Sequence, residues 1–191
     1  MAEKIPWHGR LTSVQPRIHL NRSFGDGSHI YVGYALRVDG TVGDEKREFW
    51  VGVGKVAHAK HRFAVGVVVS GMCHPVVNPP LVDVEFYKAS KLAVQERVPK
   101  RRSQGPPSLG VPPDLAVYRA RGHRRLDART YEANCSCCVW GCRMVVTNTI
   151  INERRQSVRR YRIEPCCFGL EGCPRYEAGP TRHVPGSQEM N

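Results

Sequence analysis

In the stretch Ile30-Tyr31-Val32-Gly33-Tyr34-Ala35-Leu36-Arg37-Val38, residues Ile30, Val32, Tyr34, Leu36 and Val38 fall on one side of an extended chain. A period of two is the signature of a strand with one buried face. Downstream, Asp39-Gly40 is a turn signal, and residues 48–53 (Glu-Phe-Trp-Val-Gly-Val) read as the next strand. Upstream, residues 21–28 are rich in Asn, Gly, Ser and Asp and read as a loop. Residues 7–20 then form a long first strand, bent or interrupted near Pro16, which has no N–H to donate.

Residues 55–62 (Lys-Val-Ala-His-Ala-Lys-His-Arg) suit one short helix, followed by strands over 63–72 and 82–87. Three strands, a helix and two strands is the order of an OB-type barrel. The run Phe63-Ala-Val-Gly-Val-Val-Val-Ser-Gly71 is similar to the fourth strand of many such domains, and its glycines permit tight coiling. The expected fold is therefore mainly β: an OB-like five-stranded barrel followed by a small zinc-ribbon-like cysteine module. Another small barrel or a sandwich is the alternative. Residues 98–114 hold five prolines and the triplet Lys100-Arg101-Arg102, which marks a semi-extended linker. The expected organisation is a barrel over 1–97, a Pro-rich basic linker over 98–117, and a cysteine-rich metal-binding module with a basic hairpin over 118–191.

A chain of 191 residues suits one domain, or one plus a small module. With 41% hydrophobic and 24% charged residues it can bury a core, which argues against wholesale disorder. No apolar run reaches the roughly 18 residues of a membrane-spanning helix, so no membrane partner is expected. The start Met1-Ala-Glu-Lys-Ile-Pro-Trp7 lacks the apolar segment of a secretory signal. The expected location is cytoplasmic, where clustered cysteines more often hold metal than form disulfides. The net charge of +12 is uneven. Residues 1–97 carry 13 Lys/Arg against 9 Asp/Glu, and residues 98–191 carry 16 against 8, all but one of the 16 being arginine. Guanidinium groups suit bidentate phosphate contacts, so nucleic acid or another polyanion is a plausible partner.

Seven of the eight cysteines lie between 135 and 173. Cys135-x2-Cys138 is a standard zinc knuckle, because two intervening residues let both thiolates face one ion. Residues 143–151 and 158–164 read as two strands of a hairpin, after which come Cys166, Cys167 and Cys173. The spacing selects Cys135, Cys138, Cys167 and Cys173 as ligands of a structural Zn2+. Cys137, Cys142 and Cys166 are spare thiols or an alternative register. An iron–sulfur cluster, which also takes four thiolates, is the alternative cofactor. Cys73, at the end of a barrel strand, is an ordinary buried cysteine.

Several motifs resemble an uncharacterised prokaryotic family with an OB-like N-terminal barrel and a C-terminal four-cysteine module. They are Tyr118-Arg-Ala-Arg-Gly-His-Arg-Arg-Leu126, Cys135-x2-Cys138-x-Trp140-Gly141 and Arg162-x-Glu164-x2-Cys167-Phe-Gly-x3-Cys173-Pro-x-Tyr176. Gly179-Pro-Thr-Arg-His-Val-Pro-Gly186, Ser13-Val-Gln-Pro-Arg17, Gly33-Tyr34 and Phe86-Tyr-Lys-x-Ser90 are similar to the same family. The resemblance implies cysteines paired at Cys135, Cys138, Cys167 and Cys173, and it implies no activity. Cys137, Cys142 and Cys166 depart from the family pattern.

Candidate phosphate contacts are Arg119, Arg121, Arg124, Arg125 and Arg129 upstream of the knuckle, with His123 assisting, and Arg154, Arg155, Arg159 and Arg160 on the hairpin. The bland reading is a solvated basic surface. Tyr31, Tyr34, Phe49 and Trp50 are candidate stacking platforms or core, and adjacent Phe49 and Trp50 must face opposite ways. His58 and His61 are expected on the surface, and Trp140 is expected to pack the ribbon against the barrel. There is no nucleophile elbow, P-loop or dinucleotide fingerprint, so the expected protein is non-enzymatic: a metal-stabilised nucleic-acid-binding or accessory protein. A protein–protein adaptor with a structural zinc site, or an iron–sulfur redox protein, are the alternatives.

Overall fold

The computed structural model describes residues 3–23, 26–78, 82–97, 105–151 and 156–180. The fold is mainly β, built on one eight-stranded sheet. The strands are β1 (Ile5–Ser23), β2 (Asp26–Val42), β3 (Glu45–Val53), β4 (Val68–Pro75), β5 (Phe86–Glu96), β6 (Arg124–Arg125), β7 (Gly141–Ile151) and β8 (Ser157–Cys167). Helix α1 (Lys55–His61) lies between β3 and β4. Helices α2 (Leu115–Arg121) and α3 (Ala128–Thr130) precede β7. Among the described residues no helix is long and apolar enough to cross a membrane.

The pairings lead from β1 through β2, β3, β5 and β4 back to β1. All are antiparallel except β3–β5, which meets in parallel at Val51 and Phe86. Strand β1 is long enough for two neighbours on its other edge. Ile5 to Arg10 pair with β4, and His19 to Ser23 pair in parallel with β7. Pro16 falls in the interval where that edge has no ladder partner, so a residue without an N–H leaves the strand unbroken there. Residues 21–23, expected in a loop, instead continue the β1–β2 ladder out to Ser23 and Asp26. Strand β5 begins at Phe86, later than the sequence suggests, because residues 82–85 approach β3 without joining the ladder.

The alternating stripe over 30–38 is split by a bulge. Between Arg17/Gly33 and Ile18/Tyr31 the register slips by one residue of β2, and such a slip moves side chains to the other face. Tyr34, Leu36 and Val38 are buried, whereas Ile30 and Val32 are 49% and 39% exposed. Gly33, with φ at +153°, permits the bulge, since a Cβ there would strike the Val53 carbonyl.

One core joins the two halves of the chain. Trp7, Leu11, Val14, Ile18 and Leu20 of β1 pack in the same cluster as Tyr118, Cys142, Met144, Val146, Cys166 and Phe168. His58, expected on the surface, is 3% exposed and stacks on Tyr34 with ring centres 3.9 Å apart. The neighbouring stretch explains this: Tyr34 donates to the Pro113 carbonyl at 2.8 Å, and His58 Nε2 lies 3.2 Å from the Pro112 carbonyl. The end of the Pro-rich segment is thus docked over α1, and its desolvation pushes the His58 pKa down.

Candidate metal centre and basic face

Asp127 caps the short α3 by accepting from the Arg129 and Thr130 amides at 2.9 and 3.0 Å. The chain continues through a π-helical turn, Tyr131–Cys135, into the knuckle. There Cys138 N donates to Cys135 O and Gly141 N to Cys138 O, each at 3.0 Å. Gln15 of β1 holds this turn. Its Nε2 donates to Cys135 O at 2.9 Å and to Cys138 O at 3.0 Å, while its Oε1 accepts from Tyr131 Oη at 2.7 Å. Gly141 allows the close approach: a Cβ there would sit 2.5 Å from Cys135 O and 2.6 Å from Gln15 Nε2. Tyr118 donates to Val139 O at 2.7 Å, and Trp140 packs edge-on against Tyr118. Trp140 therefore seats the turn on the shared core, as expected.

Across the β7–β8 ladder Gly141 faces Cys167 and Cys142 faces Cys166. Adjacent residues of a strand point to opposite faces, so the vicinal cysteines part company. Cys167 joins Cys135, Cys138, Leu126 and Tyr131 in a small cluster, whereas Cys166 and Cys142 are fully buried in the main core. Cys173 reaches the first group through a loop closed by Tyr176 N donating to Cys173 O. Burial pushes the Cys135 thiol up to about 12, and the charges of Cys138, Cys167, Cys173 and Cys137 push the same way. Cys167 Sγ accepts from Gly169 N at 3.2 Å. Cys138 is raised by burial and partly relieved by the Trp140 and Ser108 amides.

All eight cysteines are free thiols. Cys135, Cys138 and Cys167 thus share one cluster with Cys173 on the loop beside it, while Cys142 and Cys166 are set apart. Among the described residues, however, no three His, Cys, Asp or Glu side chains stand in the arrangement of a formed ion site. By donor chemistry a set of four thiols suits a thiophilic ion, and the Gly169 amide already points at Cys167 Sγ. On alkylation of the folded protein, Cys137 is expected to react first, with Cys73, Cys142 and Cys166 modified only on unfolding. Peptide mass spectrometry after timed iodoacetamide treatment checks this. Early labelling of Cys142 would contradict the partition.

The arginines split into three groups. Arg119 and Arg121 on α2 lie over Tyr31 (4.9 Å) and Trp140 (4.4 Å), and Arg124 on β6 lies over Tyr176 (4.2 Å). Arg124 also donates to the Gly169 and Leu170 carbonyls at 3.2 and 2.8 Å. Arg125 and Arg162 both contact Glu164. Arg129, Arg159 and Arg160 are exposed, the last two on opposite faces of β8. Arg154 and Arg155 lie outside the described residues.

Sequence reading missed the third cation beside Glu164. The Arg22 guanidinium is shifted down by burial and then by Arg125, against the pull of Glu164, with Arg162 adding to the drop. His29 and His123 stand next to this cluster with ring nitrogens 3.2 Å apart, both pushed down by burial. Nothing in residues 21–28 flags this role, because the segment reads as a turn. Of the stacking candidates, Tyr34 and Phe49 are core. Trp50 is partly exposed with Arg37 and Arg143 at 6.0 and 5.4 Å from its ring.

The chain matches no protein-family model, no curated protein and no solved structure.

Proposed function

We propose that the protein is a non-enzymatic nucleic-acid-binding or accessory protein, with a metal held by Cys135, Cys138, Cys167 and Cys173. The observation that carries this reading is an imbalance of charge. Of the seven arginines in residues 1–97, Arg10, Arg17, Arg37 and Arg47 each pair with a carboxylate, while Arg22, Arg62 and Arg97 have none in salt-bridge reach among the described residues. In the second half Arg125 and Arg162 share Glu164, and among the described residues Arg119, Arg121, Arg124, Arg129, Arg159 and Arg160 have no carboxylate within salt-bridge reach. Guanidinium groups in excess of their counter-ions suit a phosphate backbone. The strand circuit β1-β2-β3-β5-β4, with a helix between β3 and β4, supports an OB-like barrel, a fold used to bind oligonucleotides.

Bound Zn2+ would act as a closed structural cross-link between the knuckle and β8. Fluorescence anisotropy with single-stranded oligonucleotides is the test. Binding that weakens steeply as salt rises supports the proposal. Absence of binding at low salt removes it and leaves an adaptor for an acidic protein. Elemental analysis with an absorbance spectrum addresses the metal. About one equivalent of zinc in a colourless preparation is expected for a four-thiolate site, and a brown preparation means an iron–sulfur cluster.

A further inference from the structure

The strongest unassigned feature is a cleft of about 380 Å³ where β2, β1, β7 and β8 run side by side, within the size range of ligand pockets. Its lining follows from the register. Ser28, Asn21, Thr147 and Tyr161 form one row across the four strands, because Asn21 pairs with both Ser28 and Thr147, and Thr147 with Tyr161. Two residues further along, Asp26, Ser23, Thr149 and Arg159 form a second row across the same strands. Successive rows on one face lie about 6–7 Å apart.

The composition of this face is unusual for a sheet. On the opposite face of β7, Met144 and Val146 are buried in the core, whereas this face presents hydroxyls, an amide, one aromatic ring and one guanidinium. Among the described side chains none that lines the cleft is acidic. Tyr161 is 40% exposed and makes no ring contact among the described residues. Arg159 has no carboxylate partner among them either. Arg22 also borders the cleft.

We infer that this cleft takes one nucleotide unit of a single-stranded nucleic acid, with the base stacked on Tyr161 and the phosphate met by Arg159. The hydroxyls of Ser23, Thr147 and Thr149, spread over the two rows, supply donors and acceptors for sugar and base edges. A flat ring beside a guanidinium, on a polar floor, matches the sequence-tolerant mode in which stacking and phosphate contact act together. Both groups sit on one strand of a sheet anchored in the core, so they are positioned before any ligand arrives. The inference rests on the proposed nucleic-acid-binding function, and adds where on the molecule the strand is held.

The experiment is anisotropy on the full chain with labelled oligo(dT) and oligo(U), using Tyr161→Ala, Tyr161→Phe and Arg159→Ala. Stacking on a protein aromatic is worth roughly tenfold in affinity per base. Tyr161→Ala is therefore expected to weaken binding about tenfold, while Tyr161→Phe stays near the wild type. Arg159→Ala should reduce the slope of log affinity against log salt by about one. Photocrosslinking to oligo(U) bearing 4-thiouridine should yield an adduct on the peptide containing Tyr161. Wild-type binding with both alanine variants unchanged, or adducts confined to other strands, would overturn the cleft and spare the broader function. No binding by the wild type overturns both. Comparable loss for both oligonucleotides supports recognition of base and phosphate alone, and a loss limited to oligo(U) assigns these hydroxyls to the ribose.

Discussion

Gln15→Leu is expected to lower stability by about 3 kcal/mol, from the roughly 1–3 kcal/mol for each buried polar group left without a partner. Gln15 is 1% exposed and makes three hydrogen bonds toward the cysteine turn: two carbonyls accept from its amide and Tyr131 donates to its oxygen. The carbonyls keep their backbone donors, Cys138 N and Gly141 N, so the largest penalty falls on the Tyr131 hydroxyl. Tyr131 is 1% exposed, too deep for water to replace the bond. Adding Tyr131→Phe to Gln15→Leu removes that orphan and should cost less than the sum of the two single changes. Urea denaturation of the four proteins measures the coupling. A strictly additive pair would show that the bond contributes nothing.

Asp83→Ala is expected to be at least as damaging, at about 3–5 kcal/mol, because it strands a buried charge. Asp83 is 2% exposed at its side chain and accepts from Arg17 at 2.9 and 3.0 Å, with His19 Nε2 at 3.9 Å. Burial acts to raise the Asp83 pKa, but contacts with His19 and Arg17 outweigh it and hold the carboxyl below its usual range. At 3.9 Å the His19 contact is a charge interaction, so the Arg17 hydrogen bonds are the firmer restraint. The sign follows. A carboxyl depressed in the folded state adds stability above its unfolded value near 3.9, and loses it as pH falls through the folded value. The gap between wild type and Asp83→Ala should therefore be widest near neutral pH and narrow in the acid range. Denaturation midpoints measured down the pH scale check this. A gap independent of pH would mean that the carboxylate charge is not the source.

The longer strands were legible because each has one apolar face, and a period of two survives even a modest error in its ends. The pairing of β1 with β7 was not, since it joins His19 to Val145 across most of the chain and leaves no local trace. The same holds for Gln15 and Asp83, polar residues in runs that both read as ordinary strand. Only the fold brings a turn over one and a guanidinium against the other. In the cysteine region, spacing alone grouped Cys135, Cys138, Cys167 and Cys173, and the first three share one cluster. Spacing left Cys166 as a spare thiol or an alternative register, and only the direction in which each side chain leaves β8 sets it in the core. The bulge at Gly33 misled in the same manner: the stripe from Ile30 to Val38 is regular in sequence, and the backbone is not.

The parting of Cys166 and Cys167 also bears on how the hairpin reaches its native alignment. In the native ladder one sulfur must enter the core beside Cys142, and its neighbour must meet Cys135 and Cys138. A slip of one residue exchanges the two faces, so a misaligned hairpin satisfies neither demand. If the four thiols hold a metal, its capture would occur only in the correct alignment and would act as a checkpoint during folding, selecting one register from a β-rich ribbon that could otherwise slide.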